Sequence, residues 1–231
     1  MNYKIVFKVI GSILRVEAGL LLIPFLVSLI YQENLYLAYI LPIVLLIILS
    51  FLFKMKKTES TKIYAKEGFV IVGLSWILIS LFGSLPFIIS GEIPGFFDAF
   101  FETVSGFTTT GASILNDVES LSRSLLFWRS FSHWIGGMGI LVFVLAILPN
   151  TDARSIYIMQ AESPGPQSGK LVSKIRITAR ILYLIYIILT LILIILLSFK
   201  IPFFDSACNG LATAGTGGFA IKNTSIGYYN S

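Results

Sequence analysis

The stretch Phe96-Phe97-Asp98, ending in Thr108-Thr109-Thr110-Gly111-Ala112-Ser113, returns 107 residues later. The second copy begins Phe203-Phe204-Asp205 and ends in Gly215-Thr216-Gly217-Gly218-Phe219-Ala220. Aligned without a gap, Thr109 falls on Thr216, Gly111 on Gly218, Ile114 on Ile221 and Asn116 on Asn223. Each copy holds a short apolar segment, Phe96 to Phe107 and Phe203 to Thr213. As a helix, such a segment is about 17–18 Å long, against a bilayer core of about 30 Å. Length alone leaves a re-entrant segment, an interfacial helix and an ordinary loop open.

Working outward, each copy follows an apolar run long enough to span a bilayer, which takes roughly 20 residues. Five such runs are present: Val9 to Tyr31, Leu35 to Phe53, Gly68 to Ser90, Leu125 to Leu148 and Ile177 to Phe199. The first is too long, and followed too soon by the second, to read as a cleaved signal peptide. The repeating unit is therefore span, short helix, Thr/Gly turn, span, one unit reused around an axis. Three segments follow: an N-terminal two-helix hairpin over 1–66, a first repeat over 67–160, and a second repeat over 161–231 in which no closing span is expected. The fold class expected is an all-α membrane protein, with span–short-helix–turn–span repeats around an axis behind an N-terminal helix pair.

Composition agrees. Of 231 residues, 56% are hydrophobic and 13% charged, against about 25% charged in a soluble domain, and the mean hydropathy is +0.88. A cytosolic enzyme, a disordered regulator and a disulfide scaffold are excluded. A single cysteine, Cys208, allows no internal disulfide, and a single histidine, His133, builds no histidine-rich metal site.

The net charge of +5 is explained by topology. Lys4 and Lys8, then Lys54, Lys56, Lys57, Lys62 and Lys66, then Arg154, Lys170, Lys174, Arg176 and Arg180 fall on one side of a five-span arrangement, 12 of the 17 basic residues. Glu33, Glu92, Asp98, Asp117, Glu119 and Asp205 fall on the other. The positive-inside rule makes the N-terminus cytoplasmic and puts both short segments on the outer side. Nucleic acid drops out as a partner, and the lipid bilayer takes its place.

In hydrocarbon every backbone polar group must be satisfied, so a Thr/Gly turn at membrane depth is tolerable only when buried in protein or lining a wet cavity. Carbonyls facing such a cavity can replace the hydration shell of a cation. Gly111 and Gly218 admit positive φ, and the C-terminal end of each short helix carries negative potential. Asp98 and Asp205 sit where an N-cap would start each helix.

Thr108-Thr109-Thr110-Gly111-Ala112, Trp134-Ile135-Gly136-Gly137-Met138-Gly139-Ile140, Ala146-Ile147-Leu148-Pro149 and Ala161-Glu162-Ser163-Pro164-Gly165-Pro166 together resemble the Trk/Ktr superfamily of potassium uptake proteins. Gly217-Gly218-Phe219 with Ser225-Ile226-Gly227-Tyr228 narrows the resemblance to its TrkH-type pore subunits. The resemblance implies potassium uptake across the plasma membrane, with span–pore-helix–filter–span repeats around a central pore behind an extra N-terminal helix pair, four repeats to one pore and one filter glycine per repeat. Those glycines are Gly111 and Gly218. The filter would comprise Thr108, Thr109, Thr110, Gly111, Thr216, Gly217 and Gly218, with carbonyls of Thr109, Thr110, Thr216 and Gly217 on the ion. It further implies a homodimer, a cytoplasmic nucleotide-binding regulatory subunit, potassium as substrate and no cofactor. The family pattern needs about twice this length, so two further turns are expected outside this sequence.

Other residues take plainer readings. Gly136, Gly137 and Gly139 read as close-packing positions, and His133 as a core residue. Arg129 is either functional or snorkels to the interface. Arg15 and Glu17 are expected at the inner interface. Another fused-repeat cation channel is the nearer alternative function. An intramembrane serine protease using Ser113 and His133 is a remote one, since the second copy has neither residue.

Overall fold

The computed structural model describes residues 3–54, 65–139 and 175–229. Among these the chain is all helical: α1 (Tyr3–Ile30), α2 (Tyr36–Lys54), α3 (Ala65–Gly83), α4 (Leu85–Ser90), α5 (Phe96–Phe107), α6 (Arg123–Gly137), α7 (Ile175–Ser198), α8 (Phe203–Ala214) and a 3-10 turn at Ser225–Tyr229. Four helical stretches are long and apolar enough to cross a membrane: Tyr3–Ile30, Tyr36–Phe53, Lys66–Ser90 and Ala179–Ser198. The fifth expected span, Leu125 to Leu148, is described only as far as Gly139. Lys56, Lys57 and Lys62 and the Ala161–Pro166 motif also lie outside the described residues.

The third span is broken, which its uniform hydropathy conceals. Pro86 has no N–H to donate and its ring crowds the preceding turn. The helix therefore stops at Gly83 and restarts at Leu85, with Phe87 and Ile88 N–H turning to the Ser84 carbonyl. The Gly83 carbonyl this frees is taken by the Trp128 indole N–H at 2.8 Å. The kink thus becomes the contact that docks α6.

α1 runs through the middle, packing on α2, α3 and α6, and α6 lies between α5 and α8. The N-terminus of α6 is capped from two other segments. Glu33 accepts the backbone N–H of Arg123 and Ser124 at 2.6 and 3.1 Å, and Glu92 accepts that of Ser122 at 2.8 Å. Carboxylates satisfy orphan donors there and match the helix dipole. Glu33 and Glu92, expected on the same side from charge alone, do meet at one end. Arg15 donates to Ser50 Oγ on α2 at 3.0 Å. Glu17 departs from expectation: it is fully buried, and neither carboxyl oxygen has a partner among the described residues.

The exposed faces of α2 and α7 are almost wholly Leu, Ile and Phe, including Leu37, Leu41, Phe51, Leu184, Leu189 and Ile195. A soluble chain would hide this surface, and a bilayer solvates it.

Candidate functional site

Both short segments are helices, α5 and α8, each of 12 residues, and each enters its Thr/Gly turn through the same backbone device. After α5, Thr109 N–H donates to the Gly106 carbonyl and Thr110 N–H to the Ser105 carbonyl. After α8, Thr216 N–H donates to Thr213 and Gly217 N–H to Ala212. These paired bonds are Schellman motifs, which require a left-handed residue, usually glycine. Here the residue is threonine, with φ +54 at Thr109 and +61 at Thr216. A β-branched residue in this region is strained, by roughly 1–2 kcal/mol. Strain repeated at matched positions belongs to the turn's design rather than to chance.

Two residues on, the expected glycines take positive φ as well, +75 at Gly111 and +79 at Gly218. Among the described residues, no donor reaches the carbonyls of Thr108, Thr109, Thr110, Gly111, Thr216 or Gly217. The two turns also touch. A Cβ on Gly111 would overlap the Gly217 carbonyl oxygen, whereas one on Gly218 meets nothing within 4 Å. The seven candidate residues thus form two adjoining turns with free carbonyls. None is fully buried, so the turns lie on an open edge of the described structure.

Asp98 and Asp205 are not N-caps. The cap positions are Gly95 and Pro202, and both aspartates occupy the third residue of their helix. Proline at 202 carries no side-chain acceptor, so no box closes there. Asp205 instead accepts the Tyr229 hydroxyl at 2.7 Å. What survives is the favourable placement of a carboxylate in the first helical turn.

Behind the turns lies a buried polar network that the sequence did not reveal. Glu102 on α5 takes Arg129 Nε at 2.8 Å and Nη2 at 2.7 Å, with the side chains 0% and 2% exposed. The same carboxylate accepts Ser113 Oγ at 2.9 Å and Ile114 N–H at 3.1 Å, which fixes the exit of the first turn. Arg129 Nη1 reaches the Ala220 carbonyl at 3.1 Å, and the guanidinium lies 4.1 Å from the Phe219 ring centroid. One ion pair therefore ties both turns together. Of the two readings of Arg129, snorkelling fails.

The glycines of α6 do pack closely, against the turns in particular. A Cβ on Gly136 would overlap the Phe107 carbonyl, and one on Gly137 would crowd Gly215. On the other side, Tyr186 donates to the Trp134 carbonyl at 3.0 Å and Trp134 Nε1 to Thr190 Oγ1 at 3.0 Å, holding α7 to α6. At the rim, Asn223 amide nitrogen donates to Asp117 at 2.8 Å, its carbonyl accepts Val118 N–H at 2.9 Å, and Lys222 pairs with Glu119 at 2.9 Å. Ser113 and His133 are not partners: the hydroxyl is spent on Glu102, and His133 Nδ1 accepts the Phe219 N–H. No nucleophile–base pair exists there.

The sequence pattern of the TrkH family, described as cation transport protein, matches residues 36–231. The chain is 38% identical over its whole length to the Trk system potassium uptake protein TrkH of Escherichia coli, and 37% identical to that of Salmonella typhimurium, covering 49% of each. It is 30% identical, over 96% of its length, to an uncharacterized cation transporter of Methanocaldococcus jannaschii. The crystal structure of the potassium transporter TrkH from Vibrio parahaemolyticus superposes on all of this chain with a TM-score of 0.82 at 28% identity, using 47% of that chain. The chain spans about half the length of the relatives it matches.

Proposed function

The chain belongs to the TrkH family of cation transport proteins, and on that premise we propose that it supplies two of the ion-lining turns of a potassium uptake pore. The observation that carries the proposal is the backbone contact between two matched turns, each with carbonyls that no donor among the described residues occupies. Potassium is the substrate, held by carbonyls around Thr109, Thr110, Thr216 and Gly217, and no cofactor or catalytic residue is invoked. α5 and α8 present their C-terminal ends to these turns, a favourable end for a cation. Each pore unit is bounded as the sequence suggests, over 67–160 and 161–231, behind a hairpin at 1–66.

The protein sits in the plasma membrane with its N-terminus cytoplasmic, a placement supported by the distribution of basic residues. It works with the remaining repeats of a longer assembly, as a homodimer, under a cytoplasmic nucleotide-binding regulatory subunit that docks on the basic face. The test is rubidium uptake into cells lacking their own potassium uptake, with sodium as competitor. The intact protein should restore growth at low potassium and take up rubidium in preference to sodium. Uptake of both ions at equal rates would reject the filter.

A further inference from the structure

The two turns are alike in backbone but not in what braces them. Glu102 braces the first from its own pore helix, through Ser113 and Ile114. At the matching positions of the second repeat stand Asn209 and Ala220, which cannot reproduce a carboxylate–hydroxyl link. The second turn is held instead from α6, by Arg129 at Ala220 and Phe219 and by His133. His133 Nδ1 accepts the Phe219 N–H at 3.3 Å. Its ring stacks on Phe219 with centroids 4.0 Å apart and planes 18° apart. It also fills the space where Gly217 would carry a Cβ, and its backbone carbonyl abuts Gly215. The ring nitrogen that accepts this bond, Nδ1, is the one that meets the turn, while Nε2 is buried with no hydrogen-bond partner among the described residues. The residue is fully buried.

We infer that His133 is a positioning residue for ion discrimination: it sets the geometry of the 215–219 turn through the Phe219 amide, a task that the first turn assigns to Glu102. This rests on the filter reading above. If the acceptor is lost, the Phe219 N–H is left buried and unpaired, and the backbone just past Gly218 is free to shift.

The experiment uses the intact transporter in membrane vesicles, with His133→Phe, His133→Asn and Gly218→Ser compared for rubidium KM and rubidium-to-sodium discrimination. Phe keeps the stacking ring but not the acceptor. Asn loses the ring but places Oδ1 where Nδ1 was. H133F should raise the rubidium KM and lower discrimination about tenfold, the equivalent of about 1.4 kcal/mol, and H133N should recover most of that loss. If H133F fails to assemble, His133→Met, apolar and adaptable in shape, takes its place. Wild-type discrimination in H133F or H133M, with G218S impaired, would overturn the role of His133 and leave the filter standing. H133N as impaired as H133F would overturn the hydrogen bond as the cause. Unchanged discrimination in G218S as well would remove the filter reading and this inference with it.

Discussion

The Cβ that Gly111 lacks would lie on the carbonyl oxygen of Gly217, so the two candidate filter turns meet backbone to backbone. Gly111 is fixed twice, by this contact and by its φ of +75. Gly111→Ser should lower the potassium-to-sodium ratio at least about tenfold, since left-handed strain of 1–2 kcal/mol is of the size that sets a tenfold change. Gly19→Ser, at a site with nothing within 4 Å, serves as the control and should leave the ratio unchanged. Flux ratios in vesicles measure both, and an unchanged ratio in G111S would count against the turn as filter.

Thr109 carries its strain without need of its own side chain for the Schellman bonds, which are backbone to backbone. Thr109→Gly should therefore hold or raise stability, because relief of roughly 1–2 kcal/mol of left-handed strain offsets the 0.5–1 kcal/mol entropic cost of glycine. Thr103→Gly, in the interior of α5 where Oγ1 donates to Ala99, should lose about 1 kcal/mol or more. Thermal unfolding in detergent separates the two. A marked drop in T109G would mean that the threonine side chain is itself structural.

The buried pair Glu102–Arg129 predicts strong non-additivity. Glu102→Gln leaves a guanidinium without its counter-charge and should cost about 3–5 kcal/mol, whereas Glu102→Gln with Arg129→Met should cost much less than the two single changes summed. A double-mutant cycle on thermal stability tests this. Additive losses would show that the two side chains act independently.

Much of this architecture was legible because it follows from local patterns. Phe96 and Phe107, read as the ends of a short helix, are the ends of α5, and positive φ at Gly111 and Gly218 follows from the Thr/Gly spacing. What escaped depends on contacts far apart in sequence or on a residue type acting against its propensity. Thr109 and Thr216 occupy positions where propensity puts glycine, and the signal available was their recurrence directly after each short helix. Glu102 is the second of two acids in an otherwise apolar helix, and nothing local links it to Arg129, 27 residues on. The break at Ser84 was signalled by Pro86 but masked by hydropathy averaged over the run. His133, taken for a core residue, is buried as expected, but its Nδ1 engages an amide 86 residues away.

The orientation proposed from charge is open to direct labelling. In a cysteine-free background, a cysteine at Asn34, exposed between α1 and α2, should react with an impermeant maleimide from outside. A cysteine at Thr58, beside Lys56 and Lys57 in sequence, should react only after permeabilisation. Labelling of both from one face would reject the arrangement, since a full span separates them.

The rim link between the repeats predicts a pH window. The Lys222 hydrogen bond, and then the Asn223 backbone N–H, hold the Glu119 carboxyl below its ordinary 4.5. The same bond holds the Lys222 ammonium above its ordinary 10.5. A depressed acid contributes stability that is fully present above its unfolded value and is lost as pH falls through the lowered folded value. A raised base contributes below its unfolded value and loses this as pH climbs past the folded one. The stabilisation lost in Glu119→Gln should therefore be constant from about pH 5 to 10 and vanish in acid, and it should shrink with added salt because the pair is partly exposed. Melting temperatures of wild type and E119Q across pH, at low and high ionic strength, measure it. A difference that persists below the folded carboxyl value would show that Glu119 acts through packing rather than charge.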